Sequence, residues 1–140
     1  ILHHGLKRMV ERQENVFYYL TLLNENYPMP GLAPGTEEQI LKGMYLCQEG
    51  PKLTPRVQLL GSGSILRESL FAQRLLEQDW GVAANVWSCP SFNELAREGQ
   101  DCERWNLLHP TEAPREVYVT TIAEVPDPSE WVTLVEQPIA

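Results

Sequence analysis

Apolar side chains near the start of the chain follow two different rhythms. In "ILHHGLKRMVERQ" they recur at helical spacing with charged residues on the other side, which predicts an amphipathic helix over residues 1–13. The next nine residues, "NVFYYLTLL", form a nearly continuous aromatic and aliphatic run. Such a run is typical of a strand that is buried on both faces, so we predict a strand over residues 15–23.

Neither a helical spacing nor a continuous apolar run extends over residues 24–55. The stretch "NENYPMPGLAPG" is rich in proline and glycine, which continue neither a helix nor a central strand. Thr36, followed three residues later by Gln39, has the capping-box pattern and predicts a helix from Glu37 to about Leu46. We therefore predict a linker that carries one short helix.

Strands and helices alternate regularly after Pro55. An apolar strand over 57–60 leads into a helix that Ser64 caps and that reaches about Gln78, and "GVAANVWSC" from Gly81 is the next strand. A strand, a helix and a strand at this spacing form a βαβ unit, which pairs its strands in parallel.

A second helix and a third strand complete the predicted fold. Ser91 and Glu94 form a capping box that opens the helix, and "REVYVTTIAEV", residues 115–125, alternates as a strand near a sheet edge does. The tail after Glu124 fits a helical turn or a strand equally well. The predicted class is α/β, an incomplete parallel sheet with flanking helices.

The corner "GSGS" at residues 61–64 allows two interpretations. A glycine-rich turn before a helix is where a phosphate binds, through the first backbone amides of the helix. The dinucleotide fingerprint requires a third glycine where this chain has Leu66, and no Gly-Lys-Ser/Thr of a P-loop follows. We therefore favour a purely structural turn between strand and helix.

Composition excludes several classes of partner. The 140 residues make about one domain, and the formal net charge of −8 disfavours nucleic acid and anionic membranes. Cys47, Cys89 and Cys102 form no CxxC pair, so we expect reduced thiols and a cytoplasmic protein. The first residue is Ile1 rather than methionine, and we expect the chain to be a portion of a longer protein.

The densest polar stretch is "EGQDCERWNLLHP", residues 98–110. Cys102 and His109 are a candidate nucleophile and base without an identifiable third group. Asp101 and Glu103 with the same histidine match no common metal-ligand spacing. An interaction role is favoured instead, since arginine and tryptophan are enriched at interface hot spots. The candidate interface residues are Asp101, Glu103, Arg104 and Trp105.

Three long strings, "QENVFYYLTLLNENYPMPG", "VQLLGSGSILRE" and "SFNELAREGQDCERWNLLHP", resemble the homodimeric, bacterial-type pyruvate dehydrogenases. These are the thiamine-diphosphate-dependent, decarboxylating components of the pyruvate dehydrogenase complex, with a transketolase-like fold. The resemblance covers residues 1 to about 114. It implies that residues 1–23 end the pyrimidine-binding middle domain, that 24–55 are a linker, and that 56–140 are part of the transketolase C-terminal-like domain.

The resemblance also implies cofactors and partners. The whole enzyme would use thiamine diphosphate and magnesium, but the family's motifs for them lie upstream of this sequence, so no catalytic, cofactor or metal residue is assigned and none is expected on the chain alone. The partners implied are the remainder of the same enzyme, its second subunit and the dihydrolipoyl acetyltransferase component. Asp101, Glu103, Arg104 and Trp105 would then support the dimer or the mouth of the active-site channel.

A second hypothesis is a free-standing α/β interaction module without catalytic activity. A nucleotide-binding βαβ protein is a third hypothesis, which Leu66 disfavours. The tail after Glu124 departs from the family pattern, which would continue with further strands and helices.

Overall fold

The computed structural model describes residues 1–24, 26–28 and 30–123. The helices of this part are α1 (Leu2–Leu6), α2 (Glu37–Lys42), α3 (Ile65–Trp80), α4 (Phe92–Leu108) and α5 (Tyr118–Ala123). The strands are β1 (Tyr45–Gln48), β2 (Arg56–Gly61) and β3 (Ala83–Ser88). A π-helical stretch, Lys7–Glu11, continues α1, so the helix predicted near the start of the chain is present.

The three strands form one sheet with the order β1-β3-β2. β2 and β3 are parallel, with Val57 opposite Ala84, as the βαβ prediction requires. β1 runs antiparallel to β3, with Tyr45 opposite Ser88. The α/β class is therefore confirmed, but the sheet is mixed, whereas the sequence predicts strands that are all parallel.

The predicted linker contains a strand that the sequence analysis missed. Helix α2 ends at Lys42 instead of about Leu46, because Gly43 takes a left-handed conformation with φ +100°. A Cβ atom at Gly43 would lie 2.5 Å from the backbone oxygen of Ser91, so glycine is required there for space as well. The turn sends the chain directly into β1.

The strand predicted over residues 15–23 is absent from the structure. Phe17 is 88% exposed and Leu22 is 91% exposed, whereas a strand buried on both faces would cover them. A strand requires a neighbour for its backbone hydrogen bonds, and no strand of the described part pairs with this segment. Tyr18 instead packs its ring on Gly5 and hydrogen-bonds Nδ1 of His4 at 3.0 Å.

The third predicted strand, over 115–125, is also wrong where the structure describes it. Residues 118–123 form α5, which places Tyr118, Val119 and Ile122 against the core at helical spacing. Packing of this apolar stripe outweighs the strand preference of β-branched residues. Residues 124–125, and the tail for which a helical turn or a strand is predicted, lie outside the described residues.

A small apolar core positions the second half of the chain. It consists of Met44, Trp87, Cys89 and Leu95, which are all nearly inaccessible to solvent. Because Leu95 belongs to α4 and the stripe of α5 packs on the same core, both helices are fixed against the sheet. None of the helices described is long and apolar enough to cross a membrane.

Candidate functional site

Helix α4 carries all four candidate interface residues. Ser91 starts the helix, and its Oγ accepts a hydrogen bond from the Glu94 backbone N–H at 3.2 Å, as the capping box predicts. Leu95 and Cys102 are buried on the inner side of the helix and fix its rotation. The outer side is consequently open to solvent. Asp101, Glu103 and Arg104 are exposed, and Trp105 is half-buried.

Trp105 is held by contacts within the chain. The ring of His109 stacks on its indole with 4.4 Å between centroids and an interplanar angle of 12°. The Arg115 guanidinium lies 4.3 Å from the ring centroid, in the geometry of a cation–π contact. Trp105 therefore joins the end of α4 to the loop that follows, and it is less accessible to a partner than the sequence suggests.

Asn106 fixes the same loop through its side-chain amide. Its Nδ2 donates to the backbone oxygen of Arg115 at 3.1 Å, and its Oδ1 accepts from the Arg115 backbone N–H at 2.8 Å. Asn106 and Arg115 have no role in the sequence analysis. Nothing in the sequence marks them as a pair, because the contact depends on a loop that reverses direction between them.

A shallow cleft of about 510 Å³ lies beside this loop. Its lining is Glu94, Arg97, Glu98, Asp101, Cys102, Arg115 and Glu116. The Cys102 thiol donates to Oε1 of Glu98 at 3.1 Å, and this hydrogen bond, together with burial, raises the pKa of Cys102. A thiol with a raised pKa stays protonated near neutral pH and is a poor nucleophile.

The candidate catalytic and metal constellations are not assembled. Cys102 hydrogen-bonds Glu98 and the Glu116 backbone, whereas Nδ1 of His109 bonds the Trp105 backbone oxygen at 2.8 Å. The thiol and the imidazole thus have separate partners. Within the described ranges, no three His, Cys, Asp or Glu side chains are grouped as metal ligands. Asp101 and Glu103, two residues apart on a helix, point in directions about 160° apart around its axis.

The glycine corner is a packed turn. A Cβ atom on Gly61 would lie 2.7 Å from Oγ of Ser69 and 2.8 Å from the Cα atom of Leu66, so the strand and the helix touch here. The backbone N–H of Ile65, the first residue of α3, donates to the backbone oxygen of Ser62 at 3.1 Å. The N–H of Leu66 bonds the oxygen of Gly63 at 3.3 Å. This geometry favours the structural interpretation of the corner.

Comparison with known protein families gives two matches. Residues 43–131 match the transketolase-like C-terminal domain. Residues 1–30 match the middle domain of the pyruvate dehydrogenase E1 component. The first match begins just before β1, in the stretch for which the sequence predicts a linker. The domain boundaries of the sequence analysis remain predictions.

Curated relatives agree with these matches. The pyruvate dehydrogenase E1 components of Cupriavidus necator and Escherichia coli K12 are each 56% identical to this chain, over 121 and 125 residues. That of Pseudomonas aeruginosa is 52% identical over 120 residues. These alignments cover 85%, 87% and 85% of the chain, but only 14% of each relative. The resemblance seen in the sequence is thus confirmed: the chain is homologous to a part of the pyruvate dehydrogenase E1 components, and it belongs to the family of transketolase-like C-terminal domains.

Proposed function

We propose that the chain acts as part of the thiamine-diphosphate-dependent, decarboxylating component of a pyruvate dehydrogenase complex. Within that enzyme, which oxidatively decarboxylates pyruvate and transfers the acetyl unit to a lipoyl group, this segment is structural and supports the dimer. Family membership supports the first part of the proposal. The second part rests on the surface of the described residues.

The observation that carries the structural role is the amount of apolar side chain left in solvent. Phe17, Tyr19 and Leu22 are each more than 80% exposed on one extended segment. Trp80 at the end of α3 and Leu107 near the end of α4 are about three-quarters exposed. Large apolar surfaces of this kind mark protein–protein contacts. The segment thus offers the remainder of the enzyme and its second subunit several surfaces to cover.

The cleft beside α4 does not fit the diphosphate of the cofactor, and no three His, Cys, Asp or Glu side chains of the described residues are grouped to hold its metal. The cleft beside α4 has four carboxylates, from Glu94, Glu98, Asp101 and Glu116, against the two guanidinium groups of Arg97 and Arg115. An excess of negative charge repels a diphosphate. We infer that thiamine diphosphate and magnesium are held by other parts of the whole enzyme.

The candidate interface residues retain a role in this proposal. Asp101, Glu103 and Arg104 are exposed and accessible to a neighbouring part of the dimer or to the channel mouth. Trp105 contributes indirectly, because its contacts with His109 and Arg115 fix the end of α4, on which the three exposed residues lie. The dihydrolipoyl acetyltransferase component remains a partner of the whole enzyme, with no contact assigned to this segment. Three free thiols, those of Cys47, Cys89 and Cys102, are consistent with a cytoplasmic location.

Calorimetric titration tests whether this segment is structural while other parts of the enzyme hold the cofactor. Thiamine diphosphate with magnesium is titrated into the 140-residue chain, and pyruvate consumption is followed in the same samples. We expect neither binding nor turnover, whereas the full-length E. coli relative, as the positive control, should show both. Micromolar binding of the cofactor to the isolated chain would contradict the proposal.

A further inference from the structure

The outward side of α3 carries a stripe that the proposed function does not use. Arg67, Phe71 and Arg74 occupy positions i, i+4 and i+7, so they lie along one side of the helix. Phe71 is 55% exposed, and both arginines are exposed. The opposite side, with Leu66 and Gln73, is buried against the sheet.

A short stretch of chain before α2 forms the second wall of a groove over this stripe. The Arg67 guanidinium lies 4.6 Å from the centroid of the Tyr27 ring. The cavity between the walls has a volume of about 520 Å³. Its lining, called the α3 groove below, is Pro28, Arg67, Glu68, Leu70, Phe71 and Arg74.

The α3 groove is net positive, because Arg67 and Arg74 outnumber the single carboxylate of Glu68. The formal net charge is −8, yet within the described ranges neither Arg67 nor Arg74 has a carboxylate at salt-bridge distance. The Tyr27 ring lies against the Arg67 guanidinium and, being uncharged, leaves its positive charge unbalanced. A guanidinium edge is suited to bidentate binding of a carboxylate.

We propose that the α3 groove binds an extended acidic peptide segment of a partner protein, in which two carboxylates four residues apart flank an apolar side chain on the same face. Arg67 and Arg74 are seven residues apart, which is about 10 Å along a helix. Alternate residues of an extended peptide lie on one face, and four residues span about 13 Å, which flexible arginine side chains can reach. Each carboxylate therefore meets one guanidinium, and the apolar side chain between them packs on Phe71.

Charge complementarity selects this occupant. Nucleic acid is a long polyanion, and the net negative charge of the chain repels it. A short acidic peptide is affected mainly by charges within the screening length of about 8 Å, which here are the two arginines. The aromatic ring between the arginines adds an apolar contact, and arginine and aromatic side chains are enriched at protein interfaces.

Fluorescence anisotropy with the fluorescein-labelled peptide Gly-Asp-Ser-Phe-Ser-Glu-Gly tests the proposal on the 140-residue chain. We expect saturable binding that weakens several-fold between about 50 and 300 mM salt. The double variant Arg67→Glu/Arg74→Glu should weaken binding by about tenfold or more. The double variant Lys7→Glu/Lys52→Glu changes the net charge equally at exposed positions elsewhere, and its affinity should stay within about twofold of the original.

Two further comparisons separate recognition from loss of folding. Arg67→Lys/Arg74→Lys keeps both charges but removes the planar guanidinium groups that bind a carboxylate through two N–H groups. The affinity for the peptide should therefore fall only a few-fold. Phe71→Ser should weaken binding of the phenylalanine peptide but leave unchanged the binding of the same peptide with serine in its place. Circular dichroism confirms that each variant folds like the original chain.

Three results would overturn the proposal. The first is an absence of saturable binding to the original chain. The second is an equal loss of affinity in the Lys7→Glu/Lys52→Glu variant, which would indicate a general charge effect. The third is self-association of the chain that sedimentation detects and that Arg67→Glu/Arg74→Glu abolishes, because the occupant would then be a second copy.

Discussion

Gly61 shows how one missing Cβ atom decides between a ligand site and a packed corner. Its backbone oxygen accepts a hydrogen bond from the Cys89 N–H at 2.8 Å, which ties the end of β2 to the residue after β3. Ser69 and Leu66 of α3 occupy the space beside its Cα atom. Glycine is needed here because the helix approaches the strand closely.

Replacing Gly61 by alanine should therefore destabilise the chain. The new methyl group would lie 2.8 Å from the Cα atom of Leu66, and such overpacking costs about 1–3 kcal/mol of unfolding free energy. Urea denaturation measures the loss. Gly31→Ala is the control, because no heavy atom lies within 4 Å of the added methyl group, and its effect should stay within about 0.5 kcal/mol. Equal stability of the two variants would show that the corner is not tightly packed.

Closeness in the sequence does not show which side chains of the polar stretch 98–110 contact each other. Cys102 and His109 are close in sequence, but the thiol is bonded to Glu98 and the imidazole is stacked on Trp105. The sequence predicts that all four candidates lie in a polar stretch, and it does not show that Trp105 is covered by His109 and Arg115. Such contacts depend on a loop fold that local patterns do not encode.

Helix α4 and helix α3 begin with serines that look equivalent in the sequence. The Ser91 backbone is extended, and its Oγ accepts from the Glu94 N–H, so it satisfies one of the free donors at the helix start. The Ser64 backbone is already helical, and its side chain makes no capping hydrogen bond. The two residues should therefore differ in their contribution to stability.

We predict that Ser91→Ala lowers the unfolding free energy by about 1 kcal/mol, the usual loss for a side-chain cap. Ser64→Ala should change it by no more than about 0.5 kcal/mol. Thermal and urea denaturation of both variants provide the comparison. A larger loss for Ser64→Ala than for Ser91→Ala would contradict the geometry of the two helix starts.

The elements with strong local signals were predicted correctly. β2, α3, β3 and α4 all occur in the predicted order, because glycine turns and a capping box mark their ends. β1 was missed because it has only four residues and follows a stretch rich in breakers. The segment 115–125 was misassigned because its β-branched residues favour a strand locally, whereas the core shared with α4 requires a helical stripe.

The chain as a unit combines an ordered α/β core with apolar side chains that no described residue covers. Residues 15–23 have the composition of a buried strand, yet most of their side chains are exposed and no strand of the described part pairs with them. The sequence therefore encodes more apolar surface than the described fold buries. Neighbouring parts of a larger enzyme would supply the missing cover, as the proposed structural role requires.

An exchange of segments with the E. coli relative tests this structural role most directly. The matching segment of that full-length enzyme, 56% identical over 125 residues, is replaced by the corresponding residues of this chain. Pyruvate turnover and thiamine diphosphate affinity are then measured on the dimeric, folded product. We expect kcat and the cofactor Kd to stay within about threefold of the parent enzyme, a difference of about 0.7 kcal/mol. A folded dimer that loses turnover, or binds the cofactor at least tenfold more weakly, would show that the segment itself contributes to the chemistry.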